Sequence, residues 1–310
     1  MRTLLSITVF LSLLSGPLPS AHAYDRQKLL SSFFSTVLVR GFKLDGNLAY
    51  GSGVVVAENK VLTNCHVLRE VKQAWVSQGE ETFGVISTQA DRFHDLCLIT
   101  TQYLPVKPVA LGSGDALRKG QEVVAISHSN GVPAPLTSLG EIKSLYAMDG
   151  ANVIRSNVRF TMGASGSGLF DGEGRLIGIN TLKTSGRVAY FYALPIEWLA
   201  EVQKEPIETT LPITGKAFWE EEKASLPYFM QIALPQLHEN WNELAEVAGQ
   251  WVKAEPRNAE AWYELGLAQE NIGQKAEAVK SFRRSFTLDA GNSDALSHIE
   301  ALSKPVIETH

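Results

Sequence analysis

Between Ser35 and Leu199 the chain is written in short β-branched runs interrupted by glycine and polar turns, and that pattern sets its class of fold. Val54-Val55-Val56, Val61-Leu62, Leu96-Cys97-Leu98-Ile99, Val123-Val124-Ala125-Ile126, Leu176-Ile177-Gly178-Ile179 and Tyr190-Phe191-Tyr192 are its clearest members. Such side chains suit a pleated, half-buried surface, and many short strands at this spacing predict an antiparallel barrel or sandwich. With 310 residues, 45% of them hydrophobic and 20% charged, the chain can build a buried core and more than one domain.

After Ile196-Glu197-Trp198-Leu199 the composition changes. Pro206, Pro212 and the charged run Glu220-Glu221-Glu222-Lys223 read as a connector over residues 205–224. Beyond it, Ala, Leu, Glu and aromatic residues recur at helical spacing. Trp262, Leu265 and Gly266, then Ala278 and Phe282, resemble one tetratricopeptide (TPR) unit, whose repeat is about 34 residues long. An earlier, degenerate unit would set Tyr228 opposite Trp262 and Leu244 opposite Ala278, with Gln231 and Ile232 where Leu and Gly are expected. Ser293 to Leu302 would close the array. The expectation is a small all-α domain over 225–303, a protein-interaction module, with a tail at 304–310; the alternative is a plain helical hairpin packed on the β region.

The first 23 residues read as an export signal: Arg2, an apolar core from Leu4 to Leu14, and Ala21-His22-Ala23 as a small-residue cleavage site. Cleavage after Ala23 would place the protein in the periplasm or outside the cell. The apolar core is shorter than the roughly 20 residues that span a bilayer, and no later segment is long and apolar enough, so no membrane span is expected after cleavage. A formal net charge of -5 with no basic tract gives nucleic acid no electrostatic reason to bind.

Three segments carry chemistry: Thr63-Asn64-Cys65-His66-Val67, His94-Asp95-Leu96-Cys97-Leu98 and Gly163-Ala164-Ser165-Gly166-Ser167-Gly168. A serine hydroxyl is a poor nucleophile at neutral pH. Acyl transfer therefore needs an imidazole to take its proton and a carboxylate to hold that imidazole's tautomer. The chain order His, Asp, Ser is that of the two-barrel chymotrypsin arrangement.

Gly51-Ser52-Gly53-Val54-Val55-Val56 with Val61 to Val67, Asp95 to Ile99, Gly163 to Asp171, Gly174 to Ile179 and Tyr192-Ala193-Leu194-Pro195 resemble bacterial trypsin-like serine proteases of the HtrA branch. The resemblance runs from about residue 35 to 200. It implies a protease domain at 24–204 made of two six-stranded-type antiparallel β-barrels, with their boundary near Pro105 to Lys119 and the site in the cleft between them. It implies Ser165 as nucleophile, His66 as base, Asp95 as the orienting acid, and the N–H groups of Gly163 and Ser165 as an oxyanion hole. Ser167, His94 and Asp91 are the local rivals. In the resembled fold the histidine loop and the aspartate strand approach each other, so Cys65 and Cys97 form a disulfide or remain two small buried thiols. Arg159, six residues before Ser165, is a candidate for the floor of a specificity pocket. Relatives of this branch usually carry PDZ modules where this chain turns helical.

The leading expectation is an exported serine endopeptidase acting on protein or peptide substrates. The alternatives are a catalytically vestigial protease-fold binding protein and a TPR adaptor of an envelope complex. There are no metal-ligand spacings or nucleotide loops, so no cofactor is expected.

Overall fold

The protein is described from a computed structural model covering residues 26–184 and 189–304. The signal segment 1–23, its cleavage point at Ala23 and the tail residues 305–310 lie outside the described residues. A helix, α1 (Arg26–Ser35), leads into β1 (Thr36–Lys43), β2 (Leu48–Ala57), β3 (Lys60–Asn64), β4 (Val71–Gln78), β5 (Glu81–Asp91) and β6 (Leu96–Thr101). These strands close into an antiparallel barrel in the order β5-β4-β1-β2-β3-β6, with β5 pairing β6 to complete the ring. After a connector come β7 (Glu122–Ser127), β8 (Leu136–Met148), β9 (Ala151–Ser156), β10 (Ser167–Phe170), β11 (Leu176–Lys183) and β12 (Phe191–Pro195), which close in the order β10-β11-β12-β9-β8-β7.

Strand alternation decides what each barrel encloses. Val37, Val39, Val55, Val61, Val76 and Ile99 fill the first interior. Val123, Ala125, Ile142, Ile154, Leu169 and Ile177 fill the second. Their alternates, including Val54, Leu62 and Leu98 from the first barrel and Val124, Ile126 and Leu194 from the second, belong to one larger core outside both barrels. Both faces of the central strands are therefore buried, which is why these stretches read as continuous apolar runs.

The residues after β12 do not form a free connector. After α2 (Leu199–Val202), β13 (Ile207–Glu208) adds to the edge of β5. Arg92 holds this segment by pairing with Glu208 at 2.7 Å and by donating from Nε to the Thr214 carbonyl at 2.7 Å. Ile213 and Phe218 are buried, and the Phe218 N–H donates to the Phe93 carbonyl at 2.9 Å.

The helical region follows: α3 (Tyr228–Gln231), α4 (Ala233–Leu237), α5 (Trp241–Ala254), α6 (Ala259–Asn271), α7 (Lys275–Leu288) and α8 (Ser293–Ser303). Asn240, Asn258 and Asn292 cap α5, α6 and α8 by accepting first-turn N–H bonds. The helix expected around Tyr228 is broken into α3 and α4. Pro235 has no N–H to offer the Gln231 carbonyl one turn back, so the first helix ends there. Phe229, Ile232, Leu244 and Trp251 share the large core with Tyr146, Tyr192 and Leu194 of the second barrel, and Phe229 stacks on Tyr146 at 4.7 Å.

Candidate active site

His66 lies in a single 3₁₀ turn, Cys65–Val67, directly after β3. Asp95 occupies the turn before β6 with φ 58°, a left-handed conformation that Asp tolerates better than most residues. Four bonds lock the two turns together. The Asp95 carbonyl accepts from the Cys65 N–H at 3.1 Å and from Asn64 Nδ2 at 3.0 Å. Its carboxylate accepts from the His66 N–H through Oδ1 at 2.8 Å and meets His66 Nδ1 through Oδ2 at 2.6 Å. With Asp95 fully buried, this contact assigns the ring proton to Nδ1 and leaves Nε2 a lone pair for accepting a proton.

Cys65 and Cys97 are disulfide-bonded, with Cα atoms 4.9 Å apart. Thr63 of β3 registers opposite Cys97 of β6, so the bridge lies beside the strands that carry His66 and Asp95.

Ser165 sits in the loop before β10, half-buried, and lines a cavity of about 460 Å³ together with His66 and Gly163. Gly163 has φ +88°, and an added Cβ would stand 2.8 Å from the Tyr50 ring and 2.9 Å from the His128 carbonyl, so glycine is required twice over. Neither the Gly163 nor the Ser165 N–H has an acceptor among the described residues, whereas the neighbouring Ala164 and Gly166 N–H groups donate to Thr161 and Asn180 carbonyls. Such uncommitted N–H groups are what an oxyanion hole requires.

Ser52 joins the two barrels at this point. Its N–H donates to the Ser165 carbonyl at 2.8 Å, its Oγ donates to the Gly163 carbonyl at 2.8 Å, and the same Oγ accepts from the His128 N–H at 2.9 Å. A Cβ on Gly51 would stand 2.7 Å from the Val67 side chain and 3.1 Å from the Ser165 carbonyl, so the glycine lets β2 approach both the histidine turn and the serine loop. Asn64 Nδ2 adds a second tie, to Thr181 Oγ1 of β11 at 2.9 Å.

The rivals occupy other places. Ser167 is fully buried and bonds Asn180 Nδ2 at 3.0 Å. His94 pairs with Asp91 at 2.6 Å and Asp149 at 3.0 Å and packs tilted against Trp198, ring centroids 4.0 Å apart, so it fastens the β5–β6 turn to the β8–β9 turn. Burial pushes the His94 imidazole down, but its bonds to both carboxylates and their charges outweigh burial and leave it above the usual histidine value. Arg159 is exposed and is not among the residues lining the cavity.

Two residues of the presumed connector complete the cavity wall. Trp219 meets the His66 ring edge-on, centroids 5.7 Å apart, and Glu220 pairs with Arg69 at 2.5 Å. Burial pushes the Glu220 carboxyl up, but its bonds from Arg69 and the Ala217 N–H, with the nearby cationic charge, hold it below the usual carboxylate value. Among the described residues no cluster of His, Cys, Asp and Glu is set to hold a metal, and no helix is long and apolar enough to cross a membrane.

Residues 51–179 match the family described as the trypsin-like peptidase domain. The mitochondrial serine protease HTRA2 of Drosophila grimshawi is 30% identical over 162 residues, which is 48% of this chain and 37% of that protein. The chain thus spans well under half the length of that curated relative. Among solved structures, the HtrA-type protease AlgW with a tripeptide aligns with TM-score 0.52 and 23% identity over 59% of this chain and 62% of its own. The active form of the Rv3671c protease from M. tuberculosis aligns with TM-score 0.56 and 18% identity over 70% of this chain and 99% of its own. At these identities the structural likeness establishes the fold. The chain carries a trypsin-like peptidase domain with homologues among HtrA-type proteases.

Proposed function

We propose that the protein is an exported serine endopeptidase. The observation that carries this reading is that His66, paired with the buried Asp95, lines the same cavity as Ser165, beside two N–H groups without acceptors among the described residues. In the proposed cycle Ser165 Oγ attacks a peptide carbonyl carbon while its proton passes to His66 Nε2. The Gly163 and Ser165 N–H groups take up the charge forming on the carbonyl oxygen, an interaction for which one donor is worth about 3 to 4 kcal/mol. The C–N bond then breaks, His66 returns the proton to the leaving amine, and an acyl ester remains on Ser165. Water, deprotonated by His66, repeats the sequence to release the acid and restore the hydroxyl. Asp95 holds the imidazole and stabilises its cationic form throughout.

The Cys65–Cys97 bond supports export, because disulfides persist in oxidising compartments such as the periplasm or the cell exterior. The helices after residue 225 would act as a TPR-like protein-interaction module. The α6–α7 hairpin supports this: a Cβ on Gly266 would meet the Phe282 ring at 2.8 Å, the close helix contact expected inside one repeat. Purified, signal-free protein should cleave a fluorogenic peptide library, with Ser165→Ala and His66→Ala each losing about 10⁴-fold or more of kcat/KM. Equal activity in Ser165→Ala would discard the reading.

A further inference from the structure

The wall of the cavity on the imidazole side is supplied by a segment that follows both barrels. The 3₁₀ turn of Phe218–Glu220 is fixed there by the Phe218 anchor, by the Ala217 N–H donating to Glu220 Oε2 at 2.9 Å, and by the Arg69–Glu220 pair at 2.5 Å. Resting on the proteolytic reading above, we propose that Trp219, held by this turn, forms the subsite for the first residue on the amine side of the cleaved bond and selects an uncharged apolar side chain there.

The side of the bond follows from the chemistry. His66 must hand its proton to the departing amine, so the chain beyond the cleaved bond passes along the imidazole and away from the Gly163 and Ser165 N–H groups. Trp219 stands edge-on to that imidazole at 5.7 Å. The side-chain preference follows from charge. Both the lysine and the arginine that line the cavity are already neutralised, Arg69 by Glu220 at 2.5 Å and Lys43 by Glu70 at 2.7 Å. An incoming charged side chain must break a pair or lose its hydration without compensation. The apolar surface there is unpaired: Leu48 and Met162 line the same cavity and are 47% and 75% exposed. A volume of about 460 Å³ accommodates a large aliphatic or aromatic side chain.

The test uses the full-length chain with Ser165→Ala, so that binding is read without turnover. Fluorescence anisotropy is measured for peptides in which each position in turn is Leu, Phe, Asp or Lys. One position should favour Leu and Phe over Asp and Lys by about tenfold or more. Trp219→Ala should abolish that preference and Trp219→Phe should retain it. Arg69→Gln, which frees the Glu220 charge, should raise affinity for Lys at the same position. Cleavage mapping with the active chain should place that position immediately after the cut bond. The proposal falls if no position's preference depends on Trp219, if Arg69→Gln gives no gain for Lys, or if the dependent position maps to the acyl side. Failure of the active chain to cut any peptide would instead remove the proteolytic reading, with the Trp219 dependence still decided by the binding scan.

Discussion

Replacing Ser52 by alanine should damage stability and reactivity together, because one hydroxyl serves both. Ser52 is fully buried, and its Oγ pairs the Gly163 carbonyl and the His128 N–H. Alanine leaves both groups buried without a partner, at about 1 to 3 kcal/mol each, or about 2 to 6 kcal/mol together. For a chain of this size the midpoint of thermal unfolding should fall by about 3 to 10 °C. The Gly163 peptide is then no longer tied to β2, so its N–H moves from the position that an oxyanion would occupy. A displacement near 1 Å at such a site costs about a hundredfold, and the second-order rate of fluorophosphonate labelling should fall by ten- to a hundredfold. Both quantities can be read on one preparation, by differential scanning fluorimetry and gel-based labelling. A variant that melts with the parent protein and labels at the parent rate would refute Ser52 as the link between the barrels and the oxyanion N–H groups.

Removing the disulfide by Cys65→Ala with Cys97→Ala should lower stability by about 3 to 4 kcal/mol in the chain-entropy description, and a reductant should lower the parent's melting temperature but not the variant's; a reductant-insensitive parent would contradict the bridge. Glu264 is fully buried, and burial with the nearby Glu260 charge pushes its carboxyl up to about 7 against the pull of Arg155 and Lys119. A carboxyl raised in the folded state contributes stability that is complete below its unfolded value near 4.5 and is lost as pH rises through about 7. Glu264→Gln should therefore gain on the parent by about 3 kcal/mol between pH 4.5 and pH 8, and parallel stability curves for the two proteins would exclude this. Deleting residues 206–310 should expose Tyr146 and Tyr192, each 1% exposed in the intact chain, and yield a fragment that binds a hydrophobic dye; a cooperative, dye-silent fragment would show that the helices are dispensable to the core.

The parts of this architecture legible in the sequence are those encoded locally. Each quoted β-branched run lies within or overlaps a strand, and the Trp262–Phe282 pattern marks a helical hairpin, because strand and helix periodicities need only a few neighbouring residues. The closing helix expected at Ser293 to Leu302 is α8 (Ser293–Ser303). Long-range partnerships left weaker traces. Ser52 reads as part of a glycine-flanked strand, and only the fold shows that its hydroxyl bonds a carbonyl 111 residues away. Trp219 has no periodic signal, and its one cue is an aromatic pair, Phe218-Trp219, directly before the charged run Glu220-Glu221-Glu222-Lys223. The α3–α4 break was signalled by Pro235 but masked by the repeat register. The docking of Phe229 and Trp251 onto the second barrel depends on Tyr146 and Tyr192, which the strand pattern reads simply as apolar.

The proposed proton relay at Ser165 is tested most directly by locating the covalent adduct of a fluorophosphonate by peptide mass spectrometry. The intact protein should carry one adduct, on the peptide spanning Gly163 to Gly168 and at Ser165, with none in Ser165→Ala or His66→Ala. An unmodified folded protein, or an adduct on Ser167, would contradict it.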